Sequence, residues 1–280
     1  MSVSAVILTL NEERNIVQCI RTLKEWCQDV VVFDSFSDDR TVELAREEGA
    51  RVYQRKFDNY ASQRNAALRE VEYPNQWVLM VDADERWDAE LGQAMLQALV
   101  DKRYEDVAIF HFQRKDMFLE TWLKHGIGAN TWSGRLLKRD RVRIERDINE
   151  EYHCDGEKAY LKGPRFVHYP FNNGVNWWIA RHNKYSDMEA KRLAEEREQP
   201  VDWKGLVGKD PVRRRKALKQ ILYRLPCRPM LMFWVLYVFK LGFLDGKAGF
   251  HYARLRCMYE YMIDVKRVEM AEETTVMESK

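Results

Sequence analysis

Four apolar runs constrain this chain more than any other feature: "VSAVILT" (3–9), "VVVFD" (30–34), "ARVYQ" (50–54) and "WVLMVD" (77–82). Most are short, continuous and rich in β-branched residues, which is how strands buried on both faces read. Segments of helical character stand between them. Ile16, Ile20 and Leu23 recur at helical spacing after the first run. "SDDRTVELAREEGA" offers Asp38 or Asp39 as an N-cap and Gly49 as a stop. "SQRNAALREV" follows the third run, and a helix capped by Asp88 follows the fourth. A fifth strand is predicted over 107–114. Strands alternating with helices imply βαβ units and an α/β fold with a mostly parallel sheet flanked by helices. Ligands of such sheets bind beyond the carboxyl ends of the strands.

The remainder is less regular. Residues 115–172 are aromatic and glycine-punctuated, and a helix is predicted over 175–197. Residues 198–212 have linker character, and 213–280 form a basic, aromatic, helical extension with a frayed polar end. A formal net charge of +2 does not describe a nucleic-acid binder. The five cysteines form no C-x-x-C pair, so a reduced, cytoplasmic setting is expected. The N-terminus lacks the basic start of a secretory signal, and no stretch of about 18 apolar residues exists to span a bilayer.

Polar residues gather at the strand ends. Asp82 and Asp84 close the fourth strand and share a face if the extended backbone continues. Two carboxylates this close repel unless a cation lies near them, and hard oxygen ligands suit Mg²⁺ or Mn²⁺. The plainer alternative is a strand-end turn with solvated acids. Thr9, Asn11 and Glu12 follow the first strand, where Asn11 also reads as an N-cap. Asp34 ends the second strand, too far ahead of the next helix for capping to explain it.

These segments, "ILTLNEERNI", "VVVFDSFSDDRT", "ASQRNAAL" and "VLMVDADER", resemble in order the motifs of family 2 glycosyltransferases of GT-A fold. "INEEYHCDGEKAYLKGPRFVHYP" is similar to the acceptor-side segment of that family, with Asn149 where several relatives carry His. The tail looks like the membrane-associating C-terminus of a subgroup that builds lipopolysaccharide core or lipid-linked glycans. The resemblance implies a GT-A catalytic domain over 1–197, with 1–114 on the nucleotide-sugar side and 115–197 on the acceptor side. It implies that Thr9, Asn11, Glu12 and Asp34 line the nucleoside pocket and that Gln63 and Arg64 hold nucleotide. Asp82 would face the ribose or the metal, and Asp84 would bind Mg²⁺ or Mn²⁺. Glu150 matches the catalytic base, with Glu151 as the adjacent candidate. His168 matches a histidine near metal or diphosphate, or is a satisfied histidine in an aromatic cluster. Arg135 reads as a solvated loop arginine or as added positive charge for the diphosphate.

The implied reaction is inverting transfer of a sugar from a nucleotide diphosphate, UDP by resemblance, to a hydroxyl of a lipid-linked or lipopolysaccharide-type acceptor. Nine Lys or Arg lie between 204 and 228, and ten apolar residues follow at 230–239. That pattern reads either as a buried helix or as a helix in an anionic membrane interface, covering 204–244. The second reading makes the chain a peripheral protein on the inner face of the cell membrane. A nicotinamide dehydrogenase is excluded by the absence of G-x-G-x-x-G after the first strand. A sugar-nucleotidyltransferase, or a non-catalytic nucleotide-sugar-binding membrane module, remains as the alternative.

Overall fold

The computed structural model describes residues 2–128, 131–145, 151–198, 200–203, 206, 214, 217, 221, 224–225 and 227–278. The chain forms two compact units, residues 1–117 with 129–172, and residues 118–128 with 173–280. This division differs from the expected boundary after 197. Helix α5 (Gly174–Glu198) packs along the C-terminal helix α7 (Gly246–Glu278) and so groups with the second unit.

In the first unit, β1 (Val3–Thr9), β2 (Asp29–Asp34), β3 (Arg51–Gln54) and β4 (Trp77–Asp82) pair in parallel. Their alternate side chains bury on opposite faces, as the continuous apolar runs require. Ala5, Ile7, Val32 and Leu79 meet α1 (Ile16–Lys24) and α4 (Ala89–Val100) on one side. Val6, Val31, Val78 and Met80 meet α3 (Tyr60–Arg69) on the other. Helix α2 (Thr41–Glu47) joins β2 to β3. Asp88 caps α4 by accepting from Leu91 N, as predicted.

The sheet is mixed. The strand order is β3-β2-β1-β4-β8-β6-β11-β5. Here β5 is Glu85–Arg86, β6 Val107–Phe118, β8 Trp132–Lys138 and β11 Glu157–His168. Strand β8 runs antiparallel between β4 and β6, β11 runs parallel to β6, and β5 runs antiparallel to β11. Much of the stretch read as irregular is therefore strand. Its period is hidden because β11 shifts register between Leu161 and Phe166, around Gly163 at φ 135°. A separate antiparallel pair, β9 (Val142–Glu145) and β10 (Glu151–Cys154), completes the unit.

In the second unit, a two-residue strand β7 (Thr121–Trp122) leads to a wide helical turn at Lys124–Gly128. Helix α6 (Arg228–Trp234) continues as a wide turn at Val235–Phe239, and α7 runs on to Glu278 where a frayed end was expected. Arg228 Nε donates to Glu260 Oε2 at 2.8 Å, a buried pair joining α6 to α7. No single described helix is long and apolar enough to cross a membrane. Residues 228–239 and 242–272, bent by 74°, reach that length and composition only as a pair.

His182, on α5, stacks on Trp178 with ring centroids 3.6 Å apart and lies edge-on to Tyr259. Burial pulls its imidazole down to about 4 from the ordinary 6.5, outweighing the hydrogen bond to Trp178 O. The folded chain keeps His182 neutral where the unfolded chain protonates it, so this residue costs stability as pH falls from about 6.5 to 4. Thermal melting at pH 7 and pH 4.5 should show a smaller acid-induced drop in Tm for His182→Phe than for the parent. An equal drop would remove His182 from the account.

Candidate active site

The parallel strands end in a row of polar side chains. The register sets Thr9 beside Asp34 and Asp34 beside Gln54. Thr9 Oγ1 donates to Asp34 Oδ1 at 2.8 Å, and Gln54 Nε2 donates to Asp34 Oδ2 at 3.2 Å. Ser37 N donates to Oδ2 at 2.9 Å and Ser37 Oγ to Oδ1 at 2.5 Å. Asp34 is fully buried, and these four bonds offset the cost of removing a carboxylate from water. The loops after β1 and β2 interlock above it. Asn11 Oδ1 accepts from Asp38 N at 3.0 Å, and Glu12 N donates to Thr41 Oγ1 at 2.8 Å. Asn11 is not an N-cap: α1 starts at Ile16, and Asn11 takes a left-handed φ of 57°. Phe36, exposed in the facing loop, does the same at 60°. Left-handed residues other than glycine cost energy and concentrate at ligand-binding loops.

The acidic pair at the end of β4 is split by its surroundings. Strand β4 stops at Asp82 and residues 83–84 turn, so the strand pleat does not set the orientation of Asp84. Asp82 Oδ1 accepts from Arg64 Nη2 at 2.9 Å, and its Oδ2 accepts from Arg135 Nη2 at 2.6 Å. Arg135 Nη2 also pairs with Glu85 Oε1. Arg135 is therefore a buried residue of β8, contrary to the reading of a solvated loop arginine. The antiparallel insertion of β8 carries it to the end of β4, a placement its local sequence does not encode. Burial raises the Asp82 carboxyl, but the guanidiniums of Arg135 and Arg64 outweigh that and hold it far below the usual carboxylate range. Burial instead leaves Glu85 raised, despite Arg135.

Asp84 has different neighbours. Strand β11 ends at His168, which its register sets opposite Glu85 on one side and Asp116 on the other. His168 Nε2 lies 3.4 Å from Asp84 Oδ2, and its Nδ1 lies 2.6 Å from Asp116 Oδ1. Arg114 Nε closes the line at 3.1 Å from Asp116 Oδ2. Burial lowers the imidazole, yet Asp84 and the bond to Asp116 reverse this and raise it to about 10. His168 is thus flanked by carboxylates, with Nδ1 in hydrogen-bond contact with Asp116 and Nε2 facing Asp84, rather than packed in an aromatic cluster. The 3.4 Å contact is long for a charge-assisted bond, so Asp84 is the less firmly engaged acid of the pair.

Among the sequence-predicted residues, Thr9, Asn11, Glu12 and Asp34 thus come together at the ends of β1 and β2. Gln63 joins them, donating to Ser35 Oγ at 3.1 Å. Arg64 and Asp82 form one ion pair, and Asp84 and His168 another. Glu151 starts β10 and is exposed, while Glu150 lies outside the described residues. Gln54, Ser37, Glu85 and Asp116 went unnoticed in the sequence. Gln54 and Asp116 stand at or near strand ends, where the rule that selected Asp34 and Asp82 applies equally. Among the described residues, no group of three or more His, Cys, Asp or Glu side chains is arranged to hold a metal unaided.

Carboxylates and guanidiniums gather at the carboxyl ends of a largely parallel sheet, the place where open α/β folds generally take their ligands. The family model of glycosyl transferase family 2 matches residues 4–165. An uncharacterized glycosyltransferase of Rickettsia typhi is 38% identical over 203 residues, covering 69% of this chain and 68% of that one. A lipopolysaccharide core biosynthesis glycosyltransferase of Rhizobium meliloti is 26% identical over 212 residues, covering 73% of this chain and 76% of its own. Among solved structures, glucosyl-3-phosphoglycerate synthase of Mycobacterium tuberculosis, in complex with Mn²⁺, UDP and glucosyl-3-phosphoglycerate, aligns at a TM-score of 0.39 and 19% identity. That match covers 50% of this chain and 57% of the solved one. The chain belongs to glycosyltransferase family 2.

Removing Arg135 leaves Asp82 with one cation and Glu85 buried without this one. Arg135→Met should destabilise the chain by about 3–5 kcal/mol, the usual cost of breaking a buried ion pair from one side. Urea unfolding measures this. A loss below about 1 kcal/mol, the scale of a surface pair, would show that the cluster does not hold the sheet together.

Proposed function

We propose that the chain transfers a sugar from a nucleotide diphosphate, UDP first among them, to a hydroxyl of a lipid-linked or lipopolysaccharide-type acceptor, with inversion. The observation that carries this reading is the split acidic pair: Asp82 locked between two guanidiniums, Asp84 left with a loose contact to His168. Family membership supplies the reaction class, and the Rhizobium meliloti relative motivates the choice of acceptor.

Thr9, Asn11, Glu12 and Asp34 then line the nucleoside side, with the buried Asp34 network keeping their two loops in place. Gln63 orders the loop after β2 through Ser35, and Arg64 orients Asp82 toward the ribose. The donor set fits Mg²⁺ or Mn²⁺: Asp84 offers hard carboxylate oxygen that is only loosely engaged, with the remaining ligands left to diphosphate and water. Such an ion, when bound, supplies positive charge beside the leaving diphosphate. His168, held cationic by Asp116 and Asp84, orients the Asp84 carboxylate and adds charge of the same sign. Glu150 accepts the proton of the attacking hydroxyl, with Glu151 as the second candidate. One direct displacement at the anomeric carbon inverts it. The basic and apolar segment 204–244 brings the chain to an anionic membrane on its cytoplasmic face, where a lipid-anchored acceptor lies.

A thermal-shift screen of nucleotide sugars with and without Mn²⁺ should raise Tm for one donor, because binding stabilises the folded state by mass action. Asp84→Ala should cut metal-dependent turnover of that donor by at least roughly 10²-fold, on the scale of losing an electrostatic stabiliser of the leaving group. Turnover by Asp84→Ala within about twofold of the parent with Mn²⁺ present, or parent turnover unchanged by chelator, would sink the metal assignment.

A further inference from the structure

The hairpin formed by α6, the turns after it and the start of α7 leaves the large apolar residues of its tip at the surface. A water-soluble helical hairpin buries its large apolar residues between the helices and exposes polar ones. Between the two arms Phe233 and Tyr237 lie against Phe250, with ring centroids 6.1 and 5.6 Å apart, and the bend beside them is closed by small residues. A Cβ on Gly242 would lie 2.5 Å from the Leu236 carbonyl oxygen, and one on Gly249 would collide with the carbonyl oxygen of Gly242. Ala248 and Ala253 are buried beside them. The large side chains at the tip and on the outer side of the arms are exposed. Met230 is 65% exposed, Phe239 75% and Leu244 56%, and Trp234, Leu241 and Phe243 are exposed with them.

The tip is held in this form. Leu241 takes a left-handed φ of 60° at the bend. Asp245, buried behind it, accepts from Gly126 N at 3.0 Å and lies 2.7 Å from His125 Nδ1. These bonds consume the one acidic side chain between 227 and 256. The charges left at the surface of that stretch are all positive, at Lys240, Lys247 and Arg254. The two arms together reach membrane-spanning length and composition but are bent by 74°, so they form a broken segment. An apolar tip within a cationic rim complements the lipid interface, with acyl chains below and anionic headgroups above.

From this exposed apolar tip and its cationic rim we propose that residues 230–244 form a monotopic anchor whose tip, Phe239 to Leu244, inserts into the acyl region of an anionic bilayer leaflet while Lys240, Lys247 and Arg254 meet the headgroups. This rests on the membrane reading above and deepens it, by assigning the inserted residues to the hairpin rather than to the basic run before it.

The test is flotation of the full chain with vesicles of phosphatidylcholine, alone or with about one third phosphatidylglycerol. The anionic vesicles should carry the parent far better. Phe239→Ser with Leu244→Ser should lower the bound fraction at least tenfold, and Phe239→Trp with Leu244→Trp should keep it. Val100→Ser, an exposed residue of α4, serves as the control and should float like the parent. If the serine pair floats as well as the parent, the tip is not inserted and this inference falls while the membrane reading stands. If the parent floats with neither vesicle, both fall. Sedimentation that shows a dimer dispersed by the serine pair, without flotation, would make a second copy the occupant and overturn the proposal.

Discussion

Arg135 is the residue on which the first unit depends. Its guanidinium joins the end of β4 to β8 and bridges two acids, Asp82 and Glu85, in a buried environment. With Arg64 on the far side of Asp82, two positive and two negative groups compensate one another where none alone would be tolerated. Such a cluster is costly to desolvate and adds little net stability over an apolar core. It does fix geometry: Asp82 has one orientation, and its carboxyl is held ionised by the arginines on either side. Because β5 follows after a single turn, the same cluster positions the backbone that carries Asp84.

The two acids of the pair thereby acquire different chemistry from nearly identical sequence positions. Asp82 is committed to arginines. Asp84 meets an imidazolium that is itself held by Asp116 and Arg114. A separate device serves the nucleoside side, where Asp34 ties three strand ends and the loop after β2 through four hydrogen bonds. Both devices place charge at the carboxyl ends of the strands. Ligands are taken up at those ends in open α/β sheets.

The second unit follows a different solvent logic. Its helices α5 and α7 pack through Trp178, Ala190, Leu193, Tyr259 and Ile263, as in any helical pair. The α6 hairpin departs from that rule at its tip, where glycines close the bend and Phe239, Leu241, Phe243 and Leu244 are exposed. The hydrophobic effect penalises that arrangement in water, and an apolar surroundings for the tip removes the penalty.

Much was legible from the sequence. The runs at 3–9 and 77–82 coincide with β1 and β4 to the residue, and those at 30–34 and 50–54 each lie within one residue of the strand observed. Continuous burial on both faces leaves a one-dimensional signature that needs no tertiary context. The strand-end rule picked out Thr9, Asp34, Asp82 and Asp84 for the same reason, since the end of a buried strand is visible as the end of an apolar run. What lay beyond reach was decided by pairing between distant segments. The antiparallel β8 made Arg135 a core residue, and β11, its period broken at Gly163, delivered His168 to Asp84 and Asp116. Sequence alone thus determined which strands form and where their polar ends fall. Only the tertiary structure decided which charges meet there, because an ion pair is set by the register between strands and not by the residues on either side of it.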